Sequence, residues 1–320
     1  MTQVLQVLDI TKQGRKIGML FSFSDYEHIA SRLEQVHSLE QSPFTIARYE
    51  NAELHVATVT RVAGKRCFIL GTIAPPDERI LTLTLLAHTL KCQGATHVTG
   101  ILPYLAYTRQ DKVKAGESLA AAWAGSLLQA SGIDEIITID VHSERDVQLF
   151  PVPLISLSPA QLFAAEITRR NLRDAIIVAP DHGAIFRCEA VRKAVGLPAV
   201  ATPYFEKKRT DSGVVHGDLV GKVSSKVILV DDILDTGGTL VSACEKLRHL
   251  RVQEIFILVT HGAFTGEKWQ KLWSLGVQQI FCTDTIPSPR PHEAEGRITT
   301  LSAVPMLRQH FSKLLTNPPG

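Results

Sequence analysis

Apolar residues in this chain cluster in short unbroken runs, and a polar group closes each run. Val227-Ile228-Leu229-Val230 ends at Asp231-Asp232. Runs of this length bounded by polar or small residues are the pattern of strands buried on both faces. Longer stretches between them carry helical spacing. In the first half this predicts a strand over 67–71, a helix over 79–93 and a strand over 98–103. In the second half it predicts a strand over 227–230, a helix over 240–250 and a strand over 254–260, about 160 residues later. Both halves read strand, loop, helix, strand. The chain therefore reads as an α/β protein with two similar doubly wound parallel-sheet domains. The stretch 151–159 (PVPLISLSP) holds three prolines and marks the expected boundary, giving domains 1–155 and 156–320.

Composition agrees with this picture and removes several alternatives. A length of 320 residues suits two ordinary domains. Hydrophobic residues make up 45% and charged residues 21%, typical of a globular enzyme. A net charge of +2 argues against a strongly cationic nucleic-acid binder. No apolar run reaches the roughly 18 to 20 residues of a membrane span, and the N-terminus lacks a secretory core. The five cysteines are scattered, with no C-x-x-C pair, which argues against a zinc site or a disulfide framework. A cytoplasmic protein with neither nucleic-acid nor membrane partner is the expectation.

In open parallel sheets, ligands bind beyond the carboxyl ends of the strands. Five polar clusters sit where that rule wants them. Tyr104 to Lys112 follows GILP, and Asp140-Val141-His142-Ser143 follows EIITI. Asp181-His182-Gly183-Ala184 follows AIIVAP, Asp231-Asp232 follows VILV, and Thr260 to Phe264 follows IFILV. Merely polar loops would explain one or two of these, not charged or histidine residues after all five.

The most specific stretch is VILVDDILDTGGT. A strand, a small-residue loop (Asp235-Thr236-Gly237-Gly238-Thr239) and a helix N-terminus form an anion cradle. Asp231 and Asp232 repel phosphate and suit vicinal hydroxyls or a metal. A phosphate at one end and a diol at the other describe a phosphorylated pentose. Elsewhere, Arg109 and Lys112 suit a polyphosphate, although a solvated charged turn has the same composition. His142, just past a strand, suits a metal or acid–base role. Asp181 suits Mg²⁺ or a helix cap. Glu206-Lys207-Lys208-Arg209 reads as a cationic loop able to close over phosphates, or as a solvated charge run. No G-x-x-x-x-G-K-[ST], G-x-S-x-G or H-E-x-x-H motif is present.

The order YTRQDK, DVH, VAPD, KKR, VDDILDTGGT, THGAF, TDTIP resembles the ribose-phosphate pyrophosphokinase family over nearly the whole chain. That resemblance implies two domains of phosphoribosyltransferase type. It also implies transfer of the β,γ-pyrophosphoryl group of ATP to O1 of ribose 5-phosphate with Mg²⁺. It places Asp231 and Asp232 on the ribose hydroxyls and Asp235, Thr236, Gly237, Gly238 and Thr239 on the 5-phosphate. His142 and Asp181 would organise the metal and ATP, with Arg109, Gln110 and Asp111 on the nucleotide. Lys207 and Arg209 would be catalytic. The family's F-x-D-G-E loop, which serves a neighbouring subunit's ATP, falls on Tyr49, Glu50, Asn51, Ala52 and Glu53, implying a homo-oligomer with shared ATP sites. Asn51, Ala52 and Ala184 depart from the family pattern. Two alternatives follow: a non-catalytic regulatory paralogue, and a transferase that consumes phosphoribosyl pyrophosphate.

Overall fold

The computed structural model of the chain describes residues 17–34, 39–210, 213–287 and 296–316. Its strands are β1 (Gly18–Ser22), β2 (Leu39–Gln41), β3 (Thr45–Arg48), β4 (Leu54–Ala57), β5 (Arg66–Leu70), β6 (His97–Leu102), β7 (Glu135–Ile139) and β8 (Leu154–Leu157). They continue as β9 (Ile176–Val178), β10 (Tyr204–Thr210), β11 (Gly213–Val220), β12 (Lys226–Leu234), β13 (Glu254–Gly262), β14 (Val277–Thr283) and β15 (Ile298–Leu301). The helices are α1 (Glu27–Glu34), α2 (Glu78–Cys92), α3 (Ala120–Ala130), α4 (Glu144–Leu149), α5 (Ala160–Arg169), α6 (Ile185–Val195), α7 (Gly238–His249), α8 (Lys271–Ser274) and α9 (Val304–Thr316).

Two parallel sheets result. The first has the order β2-β1-β5-β6-β7-β8 and the second β15-β14-β13-β12-β9. Each is covered on both faces, which is why the strands are apolar without alternation. Successive residues of β12 point to opposite sides. Val227 and Leu229 pack with Leu240, Cys244 and Leu247 of α7, whereas Ile228 and Val230 pack with Phe163 of α5 and Cys188 of α6. In the first sheet, Cys67 and Ile69 meet α2 and α3, and Phe68 and Leu70 meet α1 and α9.

α9 is the last helix of the chain, yet Leu307 and Phe311 bury against the first sheet; the Phe68 and Phe311 rings lie 5.4 Å apart. The Tyr26 hydroxyl also donates to the Thr285 carbonyl at 2.8 Å. The two halves are thus tied at both ends of the sequence.

Two expectations need correction. The strand expected over 227–230 runs on to Leu234, because Asp231, Ile233 and Leu234 keep pairing with Val259, His261 and Gly262 of β13. The acidic pair therefore sits on a strand, not in a loop. The cationic stretch around residue 206 is not a loop either. β10 and β11 form an antiparallel ribbon, with Lys207 opposite His216 and Arg209 opposite Val214. The β-branched run Val214-Val215 favours that extended pairing.

Candidate active site

β9 is an edge strand of the second sheet. On its free side the chain returns through a single parallel bridge, Ala179 to Tyr204, and on its other side lies β12. The direction of winding changes between β9 and β12, the place where open parallel sheets bind ligands. Asp181 follows β9, and Asp231 to Thr239 occupy the end of β12 and the turn beyond it. Together they open onto a cavity of about 1000 Å³. The second half contributes Asp181, Asp231, Asp232, Asp235, Thr236, Gly237, Gly238 and Thr239; the first half contributes Arg109, Asp111 and His142.

The turn before α7 is shaped by Gly237. Its φ is +83°, and a Cβ there would stand 2.7 Å from Trp269 Cα. Only glycine lets the loop lie this close to Trp269. The amides that open α7 are then presented to the cavity with the positive end of the helix dipole behind them. Asp181 caps the turn that follows it, its Oδ1 accepting from Gly183 N–H at 2.7 Å, and it also lines the cavity.

The floor is a charged network that spans the two halves. Arg187, on the first turn of α6, donates from Nε to Asp140 Oδ1 at 2.8 Å, and from Nη2 to the carbonyls of Val141 (2.6 Å) and His142 (3.0 Å). Its Nη2 also lies 3.9 Å from Asp232 Oδ2. The Arg187 and Asp140 side chains are only 7% and 6% exposed. Asp140 adopts a left-handed backbone (φ 51°) and also accepts from the Thr260 hydroxyl. With Asp140 N–H donating to the Leu157 carbonyl of β8 at 3.0 Å, partners on α6, β13 and β8 hold this strained residue in place. His142 Nδ1–H donates to Asp232 Oδ2 at 2.7 Å. At the mouth, Arg109 Nη1 bonds Asp235 Oδ2 at 2.7 Å, and Ser143 Oγ bonds Asp111 at 3.1 Å.

These contacts separate the two adjacent carboxylates. Burial, with Asp232 and Asp181 nearby, pushes Asp231 well above the usual carboxylate range. Burial acts on Asp232 in the same direction, but the His142 hydrogen bond and the Arg187 charge overcome it and hold Asp232 well below that range. His142 is raised in return by its bond to Asp232, against the effect of burial. The two neighbouring acids are thus shifted in opposite directions, Asp231 toward its protonated form and Asp232 toward its carboxylate.

The structure brings together Arg109, Asp111, His142, Asp181, Asp231, Asp232 and residues 235–239. It leaves others apart. Gln110 is outside the cavity lining, and its Oε1 accepts from Ser118 at 2.8 Å. Tyr49, Asn51 and Glu53 lie on the exposed turn between β3 and β4, outside this cavity; Tyr49 is 57% exposed. Lys207 and Arg209 belong to β10, but their side chains lie outside the described part of the structure. The pattern reading missed Arg187 and named Asp140 and Thr260 only within strand-end clusters, without a role. Asp140 was visible as a strand-end acid, whereas nothing local marks Arg187 as its partner. Ala52 keeps a left-handed φ of 68°, and Ala184 is buried against the core around α6.

A glycine-rich turn at a helix N-terminus and a wall of charged side chains, meeting at one cavity between two parallel-sheet halves, define an α/β protein with its ligand site at the carboxyl ends of the strands. The model of the N-terminal domain of ribose phosphate pyrophosphokinase matches residues 18–132, and that of the phosphoribosyl synthetase-associated domain matches residues 179–309. A ribose-phosphate pyrophosphokinase of Campylobacter jejuni is 32% identical over 301 residues, spanning 93% of this chain and 96% of that one. A ribose-phosphate pyrophosphokinase of Vibrio cholerae is 28% identical over 299 residues, spanning 92% and 95%. The crystal structure of phosphoribosylpyrophosphate synthetase from Mycobacterium smegmatis superposes with a TM-score of 0.81 at 26% identity, covering 93% of this chain and 99% of that one. The chain belongs to the ribose-phosphate pyrophosphokinase family, and its fold is of phosphoribosyltransferase type.

Proposed function

We propose that this protein transfers the β,γ-pyrophosphoryl group of Mg-ATP to O1 of ribose 5-phosphate, giving phosphoribosyl pyrophosphate and AMP. One observation carries the reading. A single cavity joins the phosphate cradle and diacid of the second half to Arg109, Asp111 and His142 of the first. A transferase acting on phosphoribosyl pyrophosphate alone needs only the second set.

In this reading Asp231 and Asp232 hold the ribose hydroxyls and residues 235–239 hold the 5-phosphate. Arg109 and Asp111 face the nucleotide. The reaction asks for alignment of O1 with the β-phosphorus and for neutralisation of polyphosphate charge; no covalent nucleophile is required. Lys207 and Arg209 stand on the β10–β11 ribbon as the cations for that charge.

His142 and Asp181 line the cavity together, as ligands for Mg²⁺ would. No group of three or more His, Cys, Asp or Glu forms a closed metal cage among the described residues. That suits Mg²⁺, which keeps waters and substrate phosphates as ligands and takes only one or two protein groups. When bound, the ion would neutralise developing phosphate charge; orientation of the sugar remains the task of the protein.

The turn bearing Tyr49, Asn51 and Glu53 is exposed and lies outside the lining of its own cavity, which supports its service to a second copy. α2 carries an outward stripe of Leu81 (53% exposed), Leu85 (40%), His88 and Cys92 on a helix that is also apolar inside. A helix apolar on every side is normally covered, and β4, next to that turn, packs on α2. A homo-oligomer joined through this face would bring the turn to a neighbour. Among the described residues no helix is long and apolar enough to cross a membrane. The five cysteines are free thiols. A cytoplasmic setting, where ATP is available and thiols stay reduced, suits this reading.

The test is AMP release by the purified protein given ATP, Mg²⁺ and ribose 5-phosphate, with the sugar omitted as control. Sugar-dependent AMP is expected. No AMP from folded protein would refute the assignment, and pyrophosphate release from phosphoribosyl pyrophosphate with a nucleobase and no ATP would replace it.

A further inference from the structure

After β13 the chain runs back along the outer side of the phosphate cradle. Ala263 and Phe264 N–H donate to the Leu234 carbonyl at 2.9 and 3.0 Å, and Thr265 N–H donates to the Asp235 carbonyl at 3.2 Å. Trp269 is buried, and its backbone lies directly against Gly237. The indole N–H bonds the Gly266 carbonyl at 2.9 Å. Its ring meets Phe264 at 5.0 Å and Trp273 at 6.2 Å, and the Arg297 guanidinium covers Trp273 at 4.3 Å. Residue 268 is therefore held at a set distance from the cradle by a buried neighbour.

The exposed side chain of Lys268 reaches the cradle. Its Nζ lies 3.5 Å from the point where a Cβ on Gly238 would stand, and Thr236 Oγ1 lies 4.0 Å from the same point. Gly238 opens α7, and the Cα–Cβ direction in a helix tilts toward its N-terminus. That point therefore leans toward the amide-bearing end of α7, beside the cavity lined by Gly237, Gly238 and Thr239; Lys268 stands next to that lining and is not part of it. An ammonium, a hydroxyl and the amide end of a 12-residue helix thus converge on one small volume. Residues 235–239 supply one acid and no cation, and that acid, Asp235, is paired with Arg109. Among the described residues no carboxylate forms an ion pair with Lys268.

We propose that Lys268 is a binding residue for the 5-phosphate of the sugar substrate, its ammonium donating to a phosphate oxygen beside the Thr236 hydroxyl and the α7 amides. The inference rests on residues 235–239 being the sugar-phosphate cradle. A phosphate dianion placed there meets amide and hydroxyl donors on one side and a full positive charge on the other.

The test compares wild type with Lys268→Ala and Lys268→Arg by calorimetric titration of ribose 5-phosphate and, separately, inorganic phosphate, and by steady-state kinetics where AMP is formed. Lys268→Ala should bind ribose 5-phosphate about five- to tenfold more weakly, the size of one charge-assisted contact at an open site. The loss should sit in KM for the sugar and not in kcat or in KM for ATP. It should shrink as salt rises, and arginine should restore most of it. Unphosphorylated ribose should not distinguish the proteins. Equal affinities of wild type and Lys268→Ala for ribose 5-phosphate would overturn the proposal. Wild type that binds ribose 5-phosphate but makes no AMP would refute the reaction and leave the titrations to judge Lys268. Wild type that binds neither ribose 5-phosphate nor phosphate would refute the cradle and Lys268 together. Unchanged melting of both variants excludes a folding effect, as expected for an exposed side chain.

Discussion

Replacing Arg187 by leucine removes the group that ties Asp140 and the DVH segment to the second half of the molecule. The guanidinium makes three hydrogen bonds of 2.6 to 3.0 Å, to Asp140 Oδ1 and to the carbonyls of Val141 and His142. Burial pulls its pKa down, and Asp140, Asp232 and Asp231 more than offset this, so it stays charged. Leucine would leave Asp140, 6% exposed, as a buried carboxylate with the Thr260 hydroxyl as a remaining partner. Breaking one side of a buried pair costs about 3–5 kcal/mol, a large part of the roughly 5–15 kcal/mol that holds a domain together. Asp140, at φ 51°, would also lose the contact that opposes its relaxation to an ordinary backbone. His142 two residues on would shift with it, and a displacement of about 1 Å at a reacting centre can lower turnover about 100-fold. Urea denaturation followed by circular dichroism measures the stability term, and AMP release measures the second. A double-mutant cycle with Asp140→Leu separates the pair from its surroundings: the double variant should be about 2 kcal/mol more stable than the sum of the singles implies, because neither charge is then left alone. A loss under about 1 kcal/mol for Arg187→Leu, or strict additivity in the cycle, would refute the reasoning.

Gly237→Ala adds a methyl 2.7 Å from Trp269 Cα at a φ of +83°. Left-handed backbone costs roughly 1–2 kcal/mol and overpacking about 1–3. Ribose 5-phosphate should bind at least about tenfold more weakly by calorimetry with ATP affinity unchanged, and an effect under twofold would show that the close approach is dispensable. Burial holds the His261 pKa below its usual value, as it does for His310. The unfolded chain therefore takes up these protons first. The contribution of these two groups to stability should be full above about pH 6.5 and fall below it, with a slope of up to about 1.4 kcal/mol per pH unit per group until the folded form also protonates. His261→Gln should flatten part of that fall in denaturation curves taken from pH 7.5 to 5; an unchanged slope would remove His261 as its source.

The sequence by itself determined the strands that became β5, β6, β12 and β13 and the glycine-rich turn that opens α7. Parallel strands covered on both faces must be apolar along their length, so runs such as 67–71 and 227–230 declare themselves without reference to neighbours. The cradle is equally local: acids, glycines and a helix start within one short stretch carry their own geometry. The strand's continuation through Asp231 and Asp232 was hidden, because acids read as a loop until pairing with β13 supplies their partners. The ribbon of β10 and β11 was hidden for a similar reason, since cross-strand register is not a local property. Position in a motif did not fix direction either: Arg109 turns to Asp235 and Gln110 to Ser118, though they are adjacent. Only the tertiary structure decided that Arg187 meets Asp140 across 47 residues, that Tyr26 meets Thr285 across 259, and that the last helix returns to the first sheet. Such contacts depend on where folding places two distant segments, and a charge or an aromatic ring carries no local mark of the partner it will meet.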